Sequence, residues 1–412
     1  MIRLLFFLFL LGVSFISTTP GKTLVVQPNG KFKSLATALE AAADYDTIIV
    51  KSGKYKTNNL IIEKSVTIIG EGLPVFDAAG KGSVLIVRSS FVTLKGLKII
   101  NSEYSFRTDF AGVRLEDVSN CTISDNQFYN NFFGLYLQRT NDIVVTGNNI
   151  LSFATAQASS GNGIHLWYCK NTIINGNTIA GHRDGIYLEF SSKNDIFGNV
   201  AKRNLRYGLH FMFADSSVYY NNKFFKNAAG VAVMYSEFID MHNNLFFDNK
   251  GTSSYGLLLK EIRRSVISGN KFIENTKGIF LEASDKITLK NNLFQKNGWA
   301  ILLMSNSMEN NFERNTFIGN NFDVATNSSQ NYNTFTMNYW DNYEGYDLNK
   351  DGYGDVPFHP VSLFSVVVTE YKPTLILMRG LFTRLLDIAE RVFPSLTPKQ
   401  LIDEKPAMKR TV

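Results

Sequence analysis

The chain has 412 residues, with 42 Lys and Arg against 36 Asp and Glu, a formal charge of +6. That length suits two or three ordinary domains or one long repeat domain. The basic residues form no block and no RNA-binding signature is present, which argues against a nucleic-acid partner.

The N-terminus reads "MIRLLFFLFLLGVSFISTT". One Arg precedes an uncharged apolar run that is short for a membrane span. A short basic start, an apolar middle and small polar residues after it predict a signal peptide over 1–19 and an exported, periplasmic chain. No Cys follows the run, which argues against lipid anchoring there.

Next comes "SLATALEAAADYDTIIV". Ser34 is placed to N-cap a short helix, and Leu35, Ala38, Leu39 and Ala42 recur at helical spacing. This helix is expected to cover the first coil of a long repeat.

The repeat dominates the rest of the chain. Asn126, Asn148, Asn177, Asn199, Asn222, Asn244, Asn270, Asn292 and Asn315 recur at spacings of 22, 29, 22, 23, 22, 26, 22 and 23. A second motif runs in phase: "GLYL", "GIHL", "GIYL", "GLHF", "GVAV", "GLLL" and "GIFL". Its apolar and variable residues alternate, which is the strand period. A unit of this length without a helix cannot bury a face alone, so the copies must stack. The prediction is an all-β, right-handed parallel β-helix over 20–338. The Asn column should turn the chain with left-handed backbone angles and stack as an amide ladder. The longer spacings mark insertions at "LSFATAQASSGNG" and "DNKGTSSYG". Cys121 and Cys169 fall in inward slots two coils apart, about 10 Å, too far for a disulfide.

Strand alternation divides "G-Φ-x-Φ-x" into inward and outward positions. One outward column is Tyr136, His165, Tyr187, His210, Ala232, Leu258 and Phe280. The other is Gln138, Trp167, Glu189, Met212, Met234, Lys260 and Glu282, with Leu302 and Met304 continuing the two. His210 and Met212 are then outward neighbours about 7 Å apart, with Met234 stacked on Met212 at about 5 Å. One imidazole and two thioethers suit Cu(I). The competing reading is an apolar docking surface, to which His165, Trp167, Tyr187, Phe280 and Met304 would belong. His182 and His242 read as surface residues.

β-Helix polysaccharide hydrolases set carboxylates close together on one outer face. Here the outward columns carry only Glu189, Glu282 and Lys260, in different coils. Asp125, Asp142, Asp184 and Asp195 scatter singly, as solvated turn residues do. The chain therefore reads as non-enzymatic. The alternative is a polysaccharide-binding or polysaccharide-cleaving β-helix.

After the last coil, 339–372 forms an Asp- and Gly-rich closing segment. Within it Asp347, Asn349, Asp351, Tyr353 and Asp355 set oxygens at alternate positions around Gly352, like the start of a Ca²⁺-binding EF-hand loop. Phe358 stands where the bidentate Glu belongs, so a plain closing turn is the competing reading. The remainder, 373–412, is expected to be a helical docking segment. Its apolar stripe includes Leu375, Met378, Phe382, Leu385 and Val392, and the mixed charge of Arg384, Asp387, Glu390 and Arg391 disfavours a membrane surface.

The stretches "RYGLHFMF", "AAGVAVMYS", "YGLLLKEI", "NYWDNYEGYDLNKDGYGDVPF" and "LLDIAERVFPSLTP" closely resemble the NosD family, periplasmic β-helix proteins of nitrous oxide reductase maturation. The likeness covers nearly the whole mature chain. It implies work with an ABC transporter, comprising an ATPase and a membrane subunit, and receipt of copper from a chaperone lipoprotein. It implies a supporting role in assembling the reductase's copper centres, with no reductase chemistry of its own. It favours Cu(I) at His210, Met212 and Met234 without itself making these residues ligands. It also favours the C-terminal helices as the contact with the membrane subunit.

Overall fold

A computed structural model describes residues 21–410 apart from 106, 329, 378, 379, 394 and 395, and omits the side chains of 370, 372, 382–384, 387 and 391. The expected signal peptide lies outside the described residues. Three sheets of 14, 13 and 12 short strands run the length of the molecule, and their strands pair in parallel. One coil shows the plan: Tyr207–Met212 on one face, Val218–Tyr220 on the next and Lys223–Phe225 on the third. This is the parallel β-helix that the repeat predicts.

Each coil covers its neighbours because like residues stack. Leu209 pairs with Ile186 on one side and Val231 on the other, and all three are buried. Phe224, Phe246, Phe272, Phe294 and Phe317 stack ring on ring, the last on Trp340 at 4.2 Å. The glycine of the strand motif is needed where coils touch: a Cβ on Gly208 would lie 2.6 Å from the Gly230 carbonyl oxygen.

The Asn column forms the expected amide ladder. Asn199 donates its side-chain N–H to Asn222 Oδ1 at 3.0 Å, and Asn222 donates likewise to Asn244 at 3.0 Å. The left-handed turn, however, belongs to the residue before each ladder Asn, such as Gly198, Asn221 and Asn243. The ladder side chain is thereby freed to point inward. A second ladder, unforeseen from the sequence, runs through Asn204, Asn227, Asn249, Asn275, Asn297 and Asn320.

Both ends are closed. Helix α1 (Leu35–Ala41) buries Leu35, Ala38 and Leu39 over the first coil, and Ser34 Oγ accepts the Thr37 N–H at 3.3 Å. At the far end the ladder finishes on Asp403, whose carboxylate accepts from Asn338 Nδ2 at 3.0 Å and Trp340 Nε1 at 3.1 Å. Residues 401–407 therefore belong to the solenoid's cap, which corrects the expectation of a wholly helical docking segment from 373 onward. Between 363 and 393 the chain leaves the solenoid as α2 (Leu363–Glu370), a 3₁₀ turn and α3 (Leu381–Val392). Phe364 and Val368 pack on Phe322, with Trp299, Leu375 and Leu386 at the edge. Cys121 and Cys169 are free and buried.

Candidate functional site

The two outward columns run where alternation places them: Tyr187 pairs with His210, His210 with Ala232, and Met212 with Met234. Outward does not mean exposed. His165 is 8% and His210 5% exposed, because the outer face bears a roof. Tyr136, His165, Tyr187 and His210 stack in a row with centroids 4.8, 4.8 and 4.6 Å apart. The first insertion supplies a wall: Ser160 Oγ accepts the Arg183 N–H at 3.1 Å, and Gln157 Nε2 reaches the Leu205 carbonyl at 3.2 Å. The result is a cavity of about 460 Å³ lined by His165, Tyr187, Glu189, His210, Met212 and Met234, among others.

A third column completes it, formed by the residue before each motif glycine. Asp184 pairs with Tyr207, and Tyr207 with Ala229. Asp184 is not the solvated turn acid expected from the sequence; it is fully buried. Arg206 Nε donates to Asp184 Oδ1 at 2.8 Å and its Nη2 to Oδ2. His210 Nδ1 lies 3.4 Å from Asp184 Oδ2. Burial alone would raise the Asp184 carboxyl, but hydrogen bonds from Arg206 and His210 outweigh it and hold the group at about 2. For His210, burial pushes the imidazole below its ordinary value against the pull of Asp184. The same Nδ1 lies 3.3 Å from Arg206 Nη2, which only donates, so the two neighbours ask opposite roles of it; in the tautomer that donates to Asp184, Nε2 keeps its lone pair. That Nε2 is buried without a hydrogen-bond partner.

His165 is the second orphan. Its Nδ1 is 3.2 Å from Asn162 Nδ2, its Nε2 has no hydrogen-bond partner, and Glu189 Oε2 lies 3.8 Å away. Burial lowers its imidazole to about 3. Met212 and Met234 are half-buried on adjacent coils, and the small Ala232 beside His210 leaves room between them. Among the described residues no group of three or more His, Cys, Asp or Glu surrounds a metal position. The cavity that His210 lines is also lined by Met212 and Met234, whose thioethers are soft donors.

The other expected residues divide. Trp167 flanks the cavity, with Arg139 over its ring at 5.7 Å. Phe280 is three coils from His210, beside Tyr255 at 5.4 Å, and Met304 lies beyond it, so no single surface unites all five. His182 is buried with both ring nitrogens unpartnered, not exposed; it occupies the Asn slot before Asn204 in the second ladder. His242 is partly exposed and stacks on Tyr220. In the closing loop, Asp347 accepts the Gly352 N–H at 2.9 Å, Asn349 that of Asp351 at 2.9 Å, and Asp355 that of Leu348 at 2.6 Å. Leu385 and Val392 are exposed together with Leu381 and Ile388, one stripe of α3. Leu375 instead turns toward the body. Met378 and the Phe382 side chain lie outside the described residues.

Asp184, Arg206 and the insertion wall were missed from sequence. The signal was present in the residue before each motif glycine, a column with its own register.

Comparison with known proteins bears on family and fold. The family model described as "Periplasmic copper-binding protein (NosD)" matches residues 50–156 and 152–345. A "Probable ABC transporter binding protein NosD" from Pseudomonas aeruginosa is 27% identical over 413 residues, covering 87% of each chain. The protein of that name from Stutzerimonas stutzeri is 28% identical, covering 87% of this chain and 86% of its own. Among solved structures, the catalytic unit of a thermostable α-1,3-glucanase from Streptomyces thermodiastaticus superposes with a TM-score of 0.65 at 15% identity, covering 78% of this chain and 70% of its own. The A-module of a mannuronan C-5 epimerase from Azotobacter vinelandii gives 0.62 at 14%, covering 74% and 94%. At such identities the likeness is one of fold alone. No helix among the described residues is long and apolar enough to cross a membrane.

Proposed function

This chain belongs to the NosD family of periplasmic copper-binding proteins, and from that premise we propose that it is a non-catalytic periplasmic partner of an ABC transporter that holds Cu(I) at His210, Met212 and Met234. In this reading it receives copper from a chaperone lipoprotein and serves the assembly of the copper centres of nitrous oxide reductase. One observation carries the copper half: a buried imidazole Nε2 with no partner opens into a cavity that two stacked methionines also line. Copper(I) is the cargo, and its softness is what the thioethers select. The chain's own work is orientation. Arg206 fixes Asp184, Asp184 fixes the His210 ring, and the ring presents Nε2 to the cavity, the arrangement expected of a metal-bound histidine.

The transporter half is supported by the names of the two relatives and by the apolar stripe Leu381, Leu385, Ile388 and Val392, exposed on a helix outside the solenoid. The ATPase would be engaged only through the membrane subunit. The scarcity of paired carboxylates on the outer columns supports a non-enzymatic role, since Asp184 is already committed to Arg206 and His210.

The test has two arms. Met212→Leu with Met234→Leu keeps size and apolarity and removes both sulfurs. Cu(I) affinity, read by competition with a chromophoric chelator, should fall on the order of 100-fold or more. Unchanged affinity would make the cavity a docking patch. Leu385→Asp with Ile388→Asp should abolish co-purification with the transporter's membrane subunit while Cu(I) binding persists. Retained co-purification would place the docking surface elsewhere.

A further inference from the structure

The cavity contains two orphaned imidazole nitrogens, and one ion cannot serve both. His165 and His210 are separated by Tyr187, with centroids 4.8 and 4.6 Å on either side. They stand two coils apart, roughly 10 Å, whereas metal–nitrogen bonds are about 2 Å. The Met pair lies on the His210 side: Met212 shares its strand, and Met234 is one coil further from His165.

What lies beside His165 is a carboxylate. Glu189 is on the adjacent coil, and its Oε2 is 3.8 Å from His165 Nε2. That gap is too long for a hydrogen bond. Two metal–donor bonds of about 2 Å span such a gap at a wide angle, roughly 145°. His165 Nε2 is buried and unpartnered, whereas Glu189 is partly open to the cavity, which leaves room for water to complete a coordination shell. The Asn162 side chain presents Nδ2 to His165 Nδ1 at 3.2 Å and leaves its own buried Oδ1 without a partner. Turning that amide by half a rotation sets Oδ1 against an Nδ1–H. It pairs Oδ1 with the ring and frees the Nε2 lone pair, while the amide Nδ2 takes the position that Oδ1 leaves.

We propose that His165 and Glu189 form a second metal station in this cavity, taking a divalent ion of the Cu²⁺ or Zn²⁺ kind. Imidazole and carboxylate suit such ions, as thioethers suit Cu(I). The cavity thus has a hard end and a soft end along one face, and the hard end does not depend on the soft one.

The experiment uses the full chain with Cu²⁺ alone, read by electron paramagnetic resonance, with Zn²⁺ as competitor. The wild type should show one site with nitrogen and oxygen donors that Zn²⁺ displaces. His165→Phe keeps an aromatic ring in the stack and should remove the signal. Glu189→Gln should weaken binding at least tenfold. Met212→Leu with Met234→Leu should leave the signal intact, and His165→Phe should leave Cu(I) affinity intact, so each end can fail separately. Cu²⁺ binding unchanged in both His165→Phe and Glu189→Gln, or absent from the wild type, overturns the proposal.

Discussion

The inner ladder and the outer cavity are built by the same stacking and end in opposite states. Inside, identity in every coil lets each amide donate to the next, from Asn126 down to Asn338, and Asp403 accepts the last proton. Outside, the columns change residue at each coil: Tyr136, His165, Tyr187, His210, Ala232. No member can satisfy the next in a regular way, so Nε2 atoms are left over. Repetition satisfies polar groups and makes scaffold; broken repetition leaves donors and makes a site.

The contrast predicts where substitution is costly. Asn222→Ala should be the most damaging change. It orphans the Asn199 backbone N–H, held at 2.9 Å, takes one of three acceptors from the Asn199 side-chain amide, removes the side-chain donor to the Ile196 carbonyl and leaves a void in the ladder. At about 1–3 kcal/mol per buried orphan, a loss of about 3–5 kcal/mol is expected in chemical denaturation. A loss below about 1 kcal/mol would show that the ladder is decorative.

Asp403→Ala should come next, at about 2–4 kcal/mol, since Asn338 and Trp340 lose one shared acceptor. Hydrogen exchange on this variant should show the C-terminal coils fraying first. Uniform exchange would mean that the tail is not a cap.

His182 sharpens the comparison, because it is the point where the inner rule is broken. Burial lowers its imidazole to about 4, against about 6.5 in an unfolded chain. Between those values the unfolded state binds more protons, so stability falls as pH drops from about 6.5 toward 4. His182→Asn restores the ladder residue and removes that loss. Relative to wild type it should gain about 2 kcal/mol between pH 7.5 and 5. A pH-independent difference would refute the assignment.

The smallest effect should be on the cavity's soft end. Met212 and Met234 are half-buried, so Met212→Leu with Met234→Leu should shift stability by less than about 0.5 kcal/mol. The measurement is the denaturation midpoint, taken beside the Cu(I) titration. A large shift would make the pair structural.

Much of this protein was legible in its residues. The recurrence of Asn and of the glycine-led strand determined the solenoid, its coil length and the direction of His210, Met212 and Met234. A repeat states its own register, and strand alternation leaves only two faces. Ser34 announced the first cap. Tertiary structure alone decided the rest. Which outward residues are buried depends on a roof from the 152–162 insertion and from Arg206 and Tyr207, contacts between coils that no local pattern encodes. Asp184 looked like a turn acid because its neighbours in sequence are turn residues, and it became the anchor of His210 only when the next coil brought Arg206 over it. Asp403 is 65 residues from the amide it caps. Partners that distant are fixed by the fold's closure, and their pairing is visible only once the chain has come back on itself.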